Sequence, residues 1–147
     1  MKPVERLSTA TPDAVWAVLA DGWVFGSWVV GASRVRAVEA GFPTPGTKIH
    51  HSVGGWPAVI DDNTEVLVSE PGRRLKLQAR MRPVGEATVR VTLTPQDGGT
   101  LISMSEDFTA GPARVVPGAA RQAALRIRNT ETLHRLALMA ERRTVPE

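Results

Sequence analysis

The chain has no cysteine among its 147 residues. A disulfide framework, a thiol nucleophile and any cysteine-bound metal are therefore excluded, and a reducing compartment suits it. Tyrosine is also missing, and aromatic residues make up only 5% of the chain. Long apolar runs are missing too. The most apolar stretch, residues 22–32, is broken by Gly and Ser and falls short of the ~20 residues that a membrane-spanning helix needs. The first residues, MKPVERLSTATPD, lack the apolar centre of a secretory signal. The expectation is a soluble, cytoplasmic protein with no membrane span.

Charge of one sign is not concentrated either. The net charge is +3, yet the isoelectric point is about 10.2. The two agree because a chain without Tyr or Cys releases few protons between about pH 8 and 10. The basic residues form no run of five or six, so nucleic acid is not an expected partner. Neither a phosphate loop, a GxGxxG nor a GxSxG elbow occurs, which argues against nucleotide enzymes and serine hydrolases of those motif classes. No cofactor is expected.

What is present is ordinary globular material. Hydrophobic residues account for 42% and charged residues for 22%, near the averages for folded domains. The length fits one domain over residues 1–147, large enough to bury roughly 68–70% of its unfolded surface.

Residues 2–9 read as a strand. Thr11-Pro12-Asp13 reads as a helix start, with Thr as cap, Pro in the first turn and Asp at the positive end. That helix runs to about Leu19, and a second short helix or loop covers Trp23 to Val29. Strands then follow at 33–39, 47–53 and, less cleanly, 59–69. The clearest alternation comes later. Leu75, Leu77, Ala79 and Met81 alternate with polar residues, as do Ala87, Val89, Val91 and Leu93, and again Ile102, Met104 and Phe108. A period of two with one polar face marks an antiparallel sheet that is wet on one side. From Pro117 to Arg142 a long helix carries one stripe of Leu125, Asn129, Leu133, Leu136 and Ala140.

The fold class is therefore α+β. The dry strand faces need a cover, and the long helix is the large apolar partner on offer, so the sheet must curl around it. A curled sheet encloses more volume than one helix fills. Ala120, Ala123 and Ala124 at the helix start point to a gap there. A pocket between sheet and helix is the natural place for a ligand.

This order of elements resembles the START-like, or Bet v 1-like, helix-grip superfamily, in particular its bacterial polyketide cyclase/dehydrase and lipid-transport branch. The segments that carry the resemblance are ATPDAVWAVLAD, WVVGASRVRAVE, PGTKIHHSVGGWP, TEVLVSEPGRRLKLQAR, GGTLISMSEDFTAGPAR and RNTETLHRLALMAE. The resemblance implies a curved antiparallel sheet of six to seven strands gripping the C-terminal helix, with two short helices after the first strand. It also implies a deep apolar cavity for a hydrophobic small molecule. It supplies no fixed catalytic motif, because this fold hosts carriers, cyclases, hydrolases and regulators.

Several residues could give the cavity its chemistry. His50-His51, with Asp61-Asp62, is the obvious metal candidate. Neighbours on a strand point to opposite faces, so both imidazoles cannot grip one ion without a bulge, and no metal is expected. If Ile49 faces inward, so does His51, which could act as a base, bond a ligand or simply be a satisfied core histidine. Glu106 is in phase with Ile102, Met104 and Phe108. A carboxylate there must be paired, hydrogen-bonded or protonated, or else it sits in water at the strand end. Asn129 interrupts the apolar helix stripe and would either meet a ligand or cap a backbone group. Trp28 and Trp56, beside Gly-rich turns, could stack on a flat ligand, whereas Trp16 and Trp23 read as ordinary packing. Met81 and Met104, on the dry faces of their strands, complete the candidate ligand-binding set. The loop GPARVVPG is either a gate or a stiff connection.

Binding of a hydrophobic small molecule such as a lipid, polyketide or isoprenoid is the expected function. The alternative is a cyclase or dehydratase in which the cavity folds the substrate and His51 or Glu106 moves the proton. A third reading is an interaction module, with Ile127 and Leu138 on the helix's second side meeting a partner or a second copy in a homodimer.

Overall fold

The computed structural model describes residues 2–53, 57, 59–81 and 85–143. The chain runs β1 (Val4–Ser8), α1 (Pro12–Leu19), a 3-10 turn (Gly22–Val24), α2 (Phe25–Trp28), β2 (Ala32–Val38), β3 (Lys48–Val53) and β4 (Ile60–Glu70). It continues with β5 (Arg74–Met81), β6 (Gly85–Gln96), β7 (Gly99–Ala110), a 3-10 turn (Pro112–Val115) and α3 (Gly118–Arg143). Among the described residues the strands form one seven-stranded sheet in the order β1-β7-β6-β5-β4-β3-β2. Every neighbouring pair is antiparallel. The curved sheet around a long C-terminal helix is the architecture that the strand periodicity predicts.

Local chemistry explains the elements. Thr11 Oγ1 accepts from the Ala14 N–H at 3.2 Å, and Pro12 occupies the first turn of α1. Val15, Val18 and Leu19 are the buried side of that helix. The stretch expected as a short helix or loop over Trp23 to Val29 is divided into a 3-10 turn and a short helix. Asp21 Oδ1 accepts from the Trp23 N–H at 3.2 Å and starts the 3-10 turn before α2 begins. The β6–β7 hairpin turns at Gly98, whose φ of 79° lies in the left-handed region that glycine adopts without a side-chain clash. A Cβ on the next residue, Gly99, would stand 1.8 Å from the Ser8 carbonyl oxygen, so β1 could not lie this close to any other residue.

The alternation of β6 and β7 is reproduced in burial. Val89, Val91 and Leu93 stand opposite Glu106, Met104 and Ile102, and all six are buried. The irregular signal of β4 has a physical cause. A register shift between Val66 and Val68 moves the strand out of phase, and the buried positions before it include Asp62 and Thr64. Such bulges bend a strand and increase its twist, which helps the sheet to curl.

The α3 stripe of Leu125, Asn129, Leu133, Leu136 and Ala140 is buried throughout. The helix lies against β1 and α1. Its first turns behave differently from expectation. Ala120, Ala123 and Ala124 are exposed and do not border the cavity between the sheet and α3. The gap lies further along the helix, at Arg128 and Thr132. No helix among the described residues is long and apolar enough to cross a membrane.

Candidate functional site

A cavity of about 260 Å³ lies between the sheet and α3, near the small end of ligand pockets, which span roughly 300–1,000 Å³. Phe25, Trp28 and residues 29–32 form one end of its wall. The inward faces of β3 to β7 contribute His51, Thr64, Leu77, Ala79, Val89, Met104, Glu106 and Phe108, and α3 contributes Arg128 and Thr132. The loop after α2 is tied to the helix, because the Val30 N–H donates to Thr132 Oγ1 at 3.2 Å.

The two adjacent histidines part as strand geometry requires. His50 turns outward, with its Nε2 2.9 Å from Glu39 Oε2. His51 is buried beside Ile49. In register, Ile49 opposes Thr64 and His51 opposes Asp62. His51 reaches diagonally across the pair, and its Nε2 shares a 2.8 Å hydrogen bond with Thr64 Oγ1. Its ring stacks on Phe25 at 5.6 Å between centroids, and Phe25 also meets Trp28 edge-on at 5.5 Å. Burial pushes the His51 pKa down from its ordinary value; Asp62 opposes the shift, while Arg36 and His50 add to it. The imidazole is thereby biased to its neutral form. Its Nδ1 has no hydrogen-bond partner among the described residues, and neither does Trp28 Nε1.

Glu106 is fully buried. Both of its carboxylate oxygens accept from Arg128 Nη2, one strand of the sheet thus bonding directly to the helix. Arg128 keeps about a quarter of its side chain exposed, Glu106 none. The in-phase carboxylate is therefore paired with a guanidinium, a charge-assisted contact that is among the stronger hydrogen bonds in proteins.

Of the residues singled out in the sequence, Trp28, His51, Met104 and Glu106 share this one wall. Asn129 does not belong to it. It is wholly buried in the stripe of α3, and its amide nitrogen and oxygen lack partners among the described residues. Trp56 and the side chain of Met81 lie outside the described residues. Arg128, Thr64, Thr132 and Phe25 were not anticipated. Thr64 shares the phase of Asp62 and Val66, but two polar residues at inward positions conceal that face in the sequence. Arg128 follows Leu125 by three residues and precedes Thr132 by four, which sets it at the edge of the apolar stripe. One arginine among fifteen carries no further mark. Among the described residues no three His, Asp or Glu side chains gather closely enough to hold a metal ion.

A curved antiparallel sheet closed by one long helix over an apolar cavity defines the helix-grip, Bet v 1-like class. Residues 4–141 match the model of a family described as polyketide cyclase / dehydrase and lipid transport, and the chain belongs to that family. No curated protein matches it. Among solved structures it is similar to protein NE0264 from Nitrosomonas europaea, with a TM-score of 0.73 at 16% identity over 96% of this chain and 94% of that one. The structure of Ara h 8.0201 superposes with a TM-score of 0.70 at 13% identity, covering 93% and 95% of the two chains. The di-domain ARO/CYC StfQ of the steffimycin biosynthetic pathway gives a TM-score of 0.73 at 14% identity over 96% of this chain and half of that one. These likenesses establish the shared fold.

Proposed function

We propose that this chain is a single-domain cytoplasmic protein that binds a hydrophobic small molecule, of the lipid, polyketide or isoprenoid kind, between its sheet and α3. The observation that carries this reading is the wall itself. Leu77, Ala79, Val89, Met104 and Phe108 line it, with a few polar groups placed among them, which is the usual composition of a small-molecule site. Membership of a family described by cyclases, dehydrases and lipid transport supports the same reading. Burial of apolar ligand surface would supply most of the affinity, at roughly 25 cal/mol per Å². Native mass spectrometry followed by solvent extraction tests it. A stoichiometric apolar molecule on the purified protein is the expected result. A protein that neither carries one nor takes up an added apolar probe would contradict the reading.

The alternative is a cyclase or dehydratase using the same cavity. Here the geometry favours His51 over Glu106 as the group that moves a proton. Glu106 is already engaged by Arg128, whereas His51 is biased to neutral and retains an unbonded Nδ1 among the described residues. His51→Ala would then abolish turnover and spare ligand binding; loss of both together would count against catalysis by His51.

A further inference from the structure

We propose that the cavity selects uncharged, oxygen-bearing apolar molecules over carboxylates of the same carbon skeleton. The inference deepens the binding reading above and rests on it. Among the described residues Arg128 is the guanidinium in the wall, and it faces a wholly buried carboxylate on Glu106. The pair is neutral as a unit. His51, the other basic side chain among the described residues of the wall, is biased to neutral by its burial. An incoming carboxylate would thus add a net negative charge to an apolar enclosure that already contains Glu106. Desolvation and like-charge repulsion both oppose it. An incoming ammonium fares no better, because Glu106 already has its cation.

Two side chains of the wall hold unpartnered neutral hydrogen-bonding atoms, each covered by its neighbours, so that a ligand oxygen reaches them through a small side-chain adjustment. Trp28 Nε1 and His51 Nδ1 belong to side chains that are 1% and 3% exposed, and neither atom has a partner among the described residues. An indole N–H can only donate, so Trp28 asks for an acceptor. Phe25 touches both rings, which places the two groups at the same end of the cavity. A ketone, ester or hydroxyl oxygen satisfies Trp28 without bringing charge, and a hydroxyl can also serve His51 in either tautomer. Leaving such groups unpaired is costly, so a plain alkane binds less well than its oxygenated counterpart.

The test is displacement of the neutral fluorophore N-phenyl-1-naphthylamine, at about pH 8 so that carboxylates are ionised. The competitors are a medium-chain methyl ketone, the primary alcohol and the carboxylate of equal chain length. Ketone and alcohol should bind the wild type at least about tenfold tighter than the carboxylate. Glu106→Gln removes the buried carboxylate that faces Arg128 and should move the ratio toward the carboxylate ligand by about tenfold or more. The Glu106→Gln/Arg128→Gln double variant removes both charges and should return the preference to the neutral ligands. Trp28→Phe should weaken the ketone by a larger factor than the parent alkane, run as a fourth competitor. Wild-type carboxylate binding equal to or tighter than that of the ketone overturns the proposal even if Glu106→Gln does not fold. A folded Glu106→Gln with an unaltered ratio overturns it as well. If the fluorophore and every competitor fail to bind the wild type, the binding reading falls and takes this one with it. Probe binding without discrimination sinks selectivity alone.

Discussion

The two ends of the space between the sheet and α3 share strand β7 and the helix itself, yet they are filled differently. Toward the C-terminal end of α3, Leu133, Leu136, Ala137 and Ala140 join α1 and the sheet in a dry core with Val15, Val18 and Ile102. Toward its N-terminal end, the helix presents Arg128 and Thr132 to a cavity whose far wall holds His51, Thr64 and Glu106. Strand β7 passes through both, from Ile102 in the core to Glu106 and Phe108 in the cavity wall. The period that puts a side chain inside is the same at both ends. What distinguishes the cavity end is polar chemistry at positions where the period calls for apolar residues. Such placements are costly for stability unless they are paired, which makes them the natural mark of a site.

Substitutions can break this contrast from either side. The largest effect is expected for Arg128→Met, which strands a wholly buried Glu106 without its guanidinium. A loss of about 3–5 kcal/mol in chemical denaturation is expected, and Glu106→Leu in the same chain should recover much of it. A loss no greater than that of a surface change would show that the pair contributes nothing. At the dry end, Leu133→Ala should cost about 2–5 kcal/mol while leaving the order of ligand preference untouched. A changed preference there would mean that the two ends are coupled.

A smaller effect is expected from pH. The His51 pKa is held below 6.5 in the folded chain, so the unfolded chain takes up the proton first as pH falls. Stability is then fully present above about 6.5 and declines below it, by up to about 1.4 kcal/mol per pH unit until the folded imidazole also titrates. Denaturation midpoints measured across this range should flatten in His51→Phe, and an unchanged slope would refute the assignment. The smallest effect belongs to the outer side of α3. Ile127 is 75% exposed, so Ile127→Lys should shift stability by no more than about 0.5 kcal/mol. A drop in oligomeric mass on sizing with light scattering would instead reveal a contact surface there.

The fold was legible because its periods are long and regular. Ala87 to Leu93, Ile102 to Phe108 and the Leu125-to-Ala140 stripe each repeat enough times to fix a face. Site legibility was uneven for physical reasons. Glu106 and His51 stood out because each is polar within an apolar phase. The partner of Glu106 did not, since an arginine at the edge of a helical stripe looks like any solvated arginine until the sheet is set against it. Thr64 was hidden because it and Asp62 put polar side chains at the inward positions of β4, so that face does not read as apolar. Asn129 shows the limit of the phase argument: it is buried as the stripe requires, but burial on the helix did not bring it to the cavity wall.

The most direct test of the central claim is a titration of wild type and Ala79→Phe with the same neutral fluorophore. Ala79 lines the cavity, and the larger ring takes up space there at a folding cost of about 1–3 kcal/mol. The account requires saturable binding of one fluorophore per chain in the wild type and a large loss of affinity in the folded variant. Equal affinity in the two would place the ligand elsewhere and contradict the account.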